Sequence, residues 1–173
     1  MNPRRLLLPV LAAALALTAC SSTKHGTPAS SPAAPTGAML SKADFLTQMN
    51  ALCKSTNDAV TAAGSPSGPT DYAAIEAFVP KVIAVHATFT TQAAALVARS
   101  SDAAALTTNF LQADARDTAT VLPLLNRMLA AAQARDSATV TTVGNQLSNV
   151  NDQKVIDYLK GYGLTECATL EGA

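Results

Sequence analysis

His86, Asp114 and Asp117 are the residues whose types and spacing could support proton transfer or ligand binding. His86 falls in an apolar pattern of helical period, and a turn at Ser100 and Ser101 separates this pattern from the one that contains the two aspartates. All three residues lie about 13–17 positions from the turn, so an antiparallel helix pair brings them to a similar height. Three interpretations are open: a buried histidine satisfied by a carboxylate or hydroxyl, a ligand or proton-coupled site, or a solvent-exposed group.

The sequence lacks the motifs typical of di-iron, hydrolase, zinc-protease and nucleotide-binding sites. A di-iron helical bundle needs Glu-x-x-His pairs, but none of the three glutamates, Glu76, Glu166 and Glu171, has a histidine three positions later. Gly-x-Ser-x-Gly, His-Glu-x-x-His and glycine-rich phosphate-binding motifs do not occur. The sequence therefore predicts a non-enzymatic protein with no catalytic residue, no metal ligand and no cofactor.

The first twenty residues have the pattern of a bacterial lipoprotein signal. Arg4 and Arg5 precede an apolar run over residues 6–17, which is shorter than the roughly 20 residues of a membrane-spanning helix. The run leads into Leu-Thr-Ala-Cys, which resembles the lipobox, where the cysteine thiol is acylated and the signal is cleaved before it. We predict a signal peptide over residues 1–19 and a lipid with palmitate-type chains on Cys20. The alternative is ordinary cleavage near Ala19, with Cys20 incidental.

Residues 20–40 are predicted to be a lipidated tether. The segment 21–38 is rich in serine, threonine, proline and alanine and has no large apolar residue, which is typical of disorder and permits O-glycosylation. Its expected reach is on the order of 25 Å. Without Arg4 and Arg5 the chain has ten basic and twelve acidic residues, which predicts no nucleic-acid partner. A diacylglyceryl group on Cys20 would suffice for membrane attachment, after export by the general secretory or the twin-arginine route.

Cys53 and Cys167 are the two remaining cysteines. An even pair in an exported chain predicts a disulfide, because such chains fold in an oxidising compartment. Two free thiols or a metal-binding pair are the alternatives. A zinc site would need further cysteine or histidine ligands close to this pair, and the sequence offers none nearby.

Residues 41–173 have the length of one domain, and their apolar residues recur at spacings of three and four, which predicts an all-α fold. The four predicted helices begin at Ser41, at Asp71 with Thr70 as the cap, at Ser101, and at Asp136 or Ser137. They end before the sequence GSPSGP, at Arg99, at Arg135, and at Gly161 to Gly163. Short connections predict an up-and-down four-helix bundle. The two glycines allow a reversal, so the disulfide would tie the C-terminal tail to helix one.

The sequences FLTQMNALCKSTND and YGLTEC, separated by alanine-rich helical segments, resemble a group of small actinobacterial secreted and lipoprotein domains. The resemblance covers nearly all of residues 41–173 and implies a helical bundle with a disulfide. It implies no catalytic residue. In a lineage with a single membrane, it places the lipid anchor at the outer face of the cytoplasmic membrane.

These observations predict a membrane-anchored interaction or accessory module of the cell envelope, whose partner is an envelope protein or a small apolar ligand. The alternative function is a carrier of an apolar or haem-like ligand near His86. Pro80 and Pro123 each interrupt a predicted helix, and two such kinks could open a pocket beside Phe78 and Phe89. Simple curvature of the helices around each other is the other reading of the two prolines.

Overall fold

The structure is a computed structural model, and it describes residues 37–150 and 152–171. The predicted signal peptide, Cys20 and most of the predicted tether lie outside this range. The described residues are helical and contain no β-strand, which confirms the all-α prediction. The helical elements are α1 (Lys42–Ala62), α2 (Tyr72–Val97), α3 (Ala103–Leu106), a π-helical turn (Thr107–Leu111), α4 (Gln112–Gln133), α5 (Ser137–Leu147), α6 (Gln153–Tyr162) and α7 (Thr165–Glu171).

Side-chain caps fix where the first two long helices begin. Ser41 is the N-cap of α1, as predicted, because its hydroxyl accepts a hydrogen bond from the Asp44 backbone N–H at 3.1 Å. The predicted Thr70 cap of α2 is wrong, since Asp71 accepts from the Ala74 N–H instead. Asp71 also accepts from the backbone and hydroxyl of Ser67, and these bonds lower the pKa of its carboxyl group.

The third predicted helix is one helical path that starts at Asp102 rather than Ser101 and contains a π-helical turn. A π turn inserts an extra residue into a helix and rotates the side chains that follow it. Phe110 lies in this turn and is fully buried, and its ring meets that of Phe89 edge-on at 6.3 Å between centroids. The turn therefore aligns α4 with α2 while keeping an aromatic side chain in the core.

The predicted fourth helix is two helices, α5 and α6, which corrects the single element expected there. Asp152 caps the new helix by accepting from the Lys154 backbone N–H at 3.1 Å, while Ser148 ends α5. The two pieces also pack differently, since α5 lies on α4 and α6 lies on α7 and the π turn. The apolar residues keep their helical spacing through both helices, so the sequence pattern alone did not indicate the break between α5 and α6.

Most of the buried apolar residues form two separate clusters. The disulfide-side cluster joins α1, the second half of α2, the π turn, α6 and α7. It comprises Phe45, Met49, Cys53, Phe89, Ala93, Val97, Leu106, Phe110, Ala113, Val155, Ile156, Leu159, Leu164, Cys167 and Ala168. The distal cluster comprises Ile75, Val79, Ala131, Ala132 and Val140. No apolar residue is buried over residues 80–88 of α2 or 115–130 of α4. This stretch, the waist, contains both helix-interior prolines, Pro80 and Pro123.

A disulfide joins Cys53 of α1 to Cys167 of α7, with 4.9 Å between the Cα atoms. Gly163 makes the reversal that brings α7 back, since its φ of 100° is in the left-handed region that favours glycine. Asn50 strengthens the junction because its amide donates to the Gly163 carbonyl at 3.0 Å and accepts from the Glu166 N–H at 3.1 Å. The predicted tail is therefore a short helix fixed on α1 by one covalent bond and two hydrogen bonds.

Candidate functional site

His86 and Asp114, two of the three residues singled out by the sequence, are in direct contact across α2 and α4. His86 Nε2 lies 3.0 Å from Asp114 Oδ1. The aspartate side chain is only 4% exposed, whereas the histidine side chain is 37% exposed. The pair therefore joins a buried carboxylate to an imidazole that reaches solvent.

Two threonines complete the polar cluster and were not found by sequence reasoning. The Thr90 hydroxyl is 3.1 Å from the His86 carbonyl, 3.3 Å from Asp114 Oδ2 and 3.5 Å from His86 Nδ1. The Thr118 hydroxyl is 3.4 Å from His86 Nε2. Helical spacing explains the position of both threonines, since residues four apart share a helix face. Thr90 lies four positions after His86, and Thr118 lies four positions after Asp114. We define the polar cluster as His86, Thr90, Asp114 and Thr118.

The hydrogen-bond pattern assigns the proton on the imidazole. An ionised carboxylate only accepts hydrogen bonds, so the contact with Asp114 requires that Nε2 of His86 carries a proton. In the neutral imidazole Nδ1 is then the acceptor, and it faces the Thr90 hydroxyl. The single Thr90 proton has three nearby acceptors, of which the backbone carbonyl is closest. The arrangement resembles a common helix back-bond more closely than an activated nucleophile.

Asp117, the third predicted residue, is not in the hydrogen-bonded polar cluster. It follows Asp114 by three positions on α4 and is half-buried. Burial raises the pKa of its carboxyl group, and the negative charges of Asp152 and Asp114 raise it further against the opposing charge of Arg116. The charged form of the Asp117 carboxyl group is therefore disfavoured at its position beside the polar cluster.

Within residues 37–150 and 152–171, no three His, Cys, Asp or Glu side chains are grouped so that they could hold a metal ion. The chemistry that the polar cluster supports is a hydrogen-bonded bridge between two helices. Two of its members, His86 and Thr118, lie in the waist, and the buried Asp114 carboxylate on α4 accepts hydrogen bonds from His86 and Thr90, both on α2.

Two adjoining surface grooves of about 690 and 380 Å³ lie between α1 and α2. Leu52, Ser55 and Gln92 line both of them, so they form one continuous depression, the α1–α2 groove. Phe89, one of the residues expected beside a pocket, contributes to the smaller part. His86 is not among the lining residues of either part.

No family model matches the chain, and no curated protein or solved structure matches it. The likeness to actinobacterial secreted domains thus remains a prediction from the quoted sequence motifs.

Replacing Asp114 by alanine is expected to lower the free energy of unfolding by about 1–2 kcal/mol at pH 7, because a buried acceptor shared by His86 and Thr90 is lost. We expect a small loss for a buried hydrogen-bond acceptor, because water can hydrate the half-exposed imidazole once Asp114 is removed. Urea denaturation monitored by circular dichroism measures the change.

Asp117→Asn is the matched control on the same helix. The folded protein binds a proton at Asp117 more tightly than the unfolded chain does, so its charged form opposes folding at neutral pH, and this cost disappears as pH falls through its folded pKa. Asp117→Asn should therefore be neutral or stabilising at pH 7, with a smaller difference in acid. Equal destabilisation by the two variants would contradict the assignment of the bridge to Asp114.

Proposed function

We propose that this protein is a non-enzymatic bacterial lipoprotein, held at the outer face of the cytoplasmic membrane by a lipid on Cys20. It acts there as an interaction or accessory module of the cell envelope. The folded domain supplies the binding surface, and residues 20–40 link that surface to the membrane.

The observation that carries this proposal is the disulfide between Cys53 and Cys167. Both cysteines are fully buried in the disulfide-side cluster, so the bond is part of the core. Structural disulfides form in exported proteins, where the compartment is oxidising. This supports reading residues 1–19 as an export signal, and with Cys53 and Cys167 paired, Cys20 is the cysteine left for acylation.

The polar cluster supports a structural role better than a reaction. Asp114 is buried and hydrogen-bonded from α2, which stabilises the contact between α2 and α4 beside the waist. A ligand held near His86, the alternative function, has less support, because the grooves lie between α1 and α2 and their lining does not include His86. The α1–α2 groove is the better candidate for the binding surface.

Replacing Cys20 by alanine is expected to move the protein almost completely from the membrane fraction to the soluble extracytoplasmic fraction, since one protein-linked lipid group is its proposed anchor. The measurement is immunoblotting of fractionated cells, combined with metabolic labelling by an alkyne analogue of palmitate. Ser22→Ala, two residues away, is the control and should keep both the label and the membrane location. A Cys20→Ala protein that stays with the membrane would refute the lipid anchor.

A further inference from the structure

The α1–α2 groove has a mixed lining. Its larger apolar residues include Leu52 from α1 and, from α2, Leu96 and the almost completely buried Phe89, and its neutral polar residues are Gln48, Ser55, Thr56, Thr88 and Gln92. Along α2 the groove runs from Ala84 to Arg99, a distance of about 22 Å at 1.5 Å per residue. Small side chains such as Ala51 and Ala95 form its edges, which keeps it open to solvent. An open depression of this length can accommodate an extended alkyl chain.

The charge of the groove is concentrated at one end. Arg99 is the only charged residue among those that line either part, and the remaining lining residues are neutral. Its Nε donates to the Ala38 carbonyl at 3.0 Å, which holds the side chain in place against the strand-like residues before α1. In the described part of the chain Arg99 makes no ion pair with a carboxylate. Its terminal guanidinium nitrogens are therefore suited to an anion supplied by a ligand.

Helix α2 exposes mainly small side chains, and its large apolar side chains are at least partly buried. It is long and apolar enough, by length and composition alone, to span a membrane, yet only 17% of its most apolar 18-residue window is buried. Core helices of soluble proteins also meet this criterion of length and composition, but those helices are mostly buried. The apolar surface that α2 leaves beside the groove consists of small residues such as Ala84 and Ala95.

We propose that the α1–α2 groove binds one long-chain carboxylate, with its alkyl chain along Leu52, Leu96 and the alanines beside them and its carboxylate on Arg99. The proposal deepens the function proposed above, because it gives the accessory module a ligand class. The choice of a fatty acid depends on the charge pattern: one cation at one end of a groove that is otherwise uncharged fits a ligand with a single anionic group at the end of an uncharged chain. An apolar groove that held a partner helix would not need this terminal charge.

Two energetic contributions predict how affinity should vary among ligands. Each methylene fully removed from water is worth about fourfold in affinity, so laurate should bind clearly more weakly than palmitate, although an open groove reduces the effect. A charge-assisted hydrogen bond to a carboxylate is worth about tenfold or more. Uncharged hexadecanol should therefore bind about tenfold more weakly than palmitate.

The test uses the exported Cys20→Ala chain with its disulfide formed, so that no protein-linked lipid competes for the groove. Equilibrium dialysis with radiolabelled palmitate, below its micelle concentration, should show one saturable site. Ala95→Phe places a large ring in the groove and should weaken binding at least tenfold. Ala94→Phe makes the same change at the neighbouring exposed position, which does not line the groove, and should leave binding unchanged.

Arg99→Gln tests the carboxylate contact and should weaken palmitate about tenfold while leaving hexadecanol unchanged. Lys81→Gln removes a positive charge from an exposed position of the same helix outside the groove and should change neither ligand. The proposal is overturned by the lack of saturable palmitate binding, by equal effects of Ala95→Phe and Ala94→Phe, or by equal loss of both ligands in Arg99→Gln. If palmitate fails to bind while the unaltered chain stays with the membrane, the ligand is wrong and the anchoring proposal stands.

Discussion

Replacing Cys53 and Cys167 together by alanine is expected to lower the free energy of unfolding by about 3–5 kcal/mol under oxidising conditions. The bond closes a loop with a sequence separation of 114 residues, and the loss of unfolded-chain entropy on closing such a loop is large. Both sulfur atoms are also buried, so their removal leaves a small cavity in the disulfide-side cluster. Urea denaturation of the two proteins at equal pH and ionic strength measures the difference.

Reduction of the unaltered protein separates the covalent link from the packing of the sulfur atoms. If the link dominates, the unaltered protein in reductant should lose most of the stability that the double alanine variant loses. The variant itself should be insensitive to reductant. A melting curve that is the same for the variant and the oxidised unaltered protein would count against a stabilising disulfide.

Phe110→Ala is expected to lower the free energy of unfolding by about 3–5 kcal/mol, the usual cost of removing a fully buried aromatic side chain. Phe110 packs edge-on against Phe89 and lies in the π turn, which cannot collapse easily around a cavity because α6 and α2 both pack on it. Thermal and urea denaturation should agree on the loss.

Phe110→Leu is the matched control, since it keeps most of the apolar volume and should cost clearly less than the alanine variant. Phe78→Ala removes a half-buried ring of the distal cluster and should also cost less. If Phe110→Ala were no more harmful than Phe78→Ala, the disulfide-side cluster would not be the main source of stability.

Features that depend on neighbouring residues could be predicted from the sequence. The Ser41 cap and the reversal at Gly163 follow from the local chemistry of a few residues, and the pairing of the two core cysteines follows from their number in an exported chain. The break between α5 and α6 could not be read with the same ease, because Val150 and Val155 continue the apolar period across it. Asp152 could have indicated that a new helix begins there, because aspartate is a strong N-cap residue and stands just before the last helical stretch.

Sequence reasoning placed His86 at a height similar to that of Asp114 and Asp117, because the height of residues in a helical hairpin can be counted from the turn. That count cannot separate Asp114 from Asp117, which lie within one turn of each other. A π turn before α4 changes which α4 residues face α2, and the residue types at positions 107–111 do not predict this turn. The α1–α2 groove depends on which helix faces are left uncovered, a property of packing rather than of any one helix.

The position of the disulfide determines how the chain responds to a pulling force. Tension between the two chain ends passes from α1 through the bond between Cys53 and Cys167 into α7, so it bypasses residues 54–166. Of the described domain, only the residues before Cys53 and after Cys167 could be lengthened by such a load. The α1–α2 groove uses α1 residues on both sides of Cys53, from Gln48 to Ala59, and its α2 side lies within the protected loop. Load on the chain ends would thus strain the Arg99 end of the groove first, where Gln48 lies, and leave its far end intact.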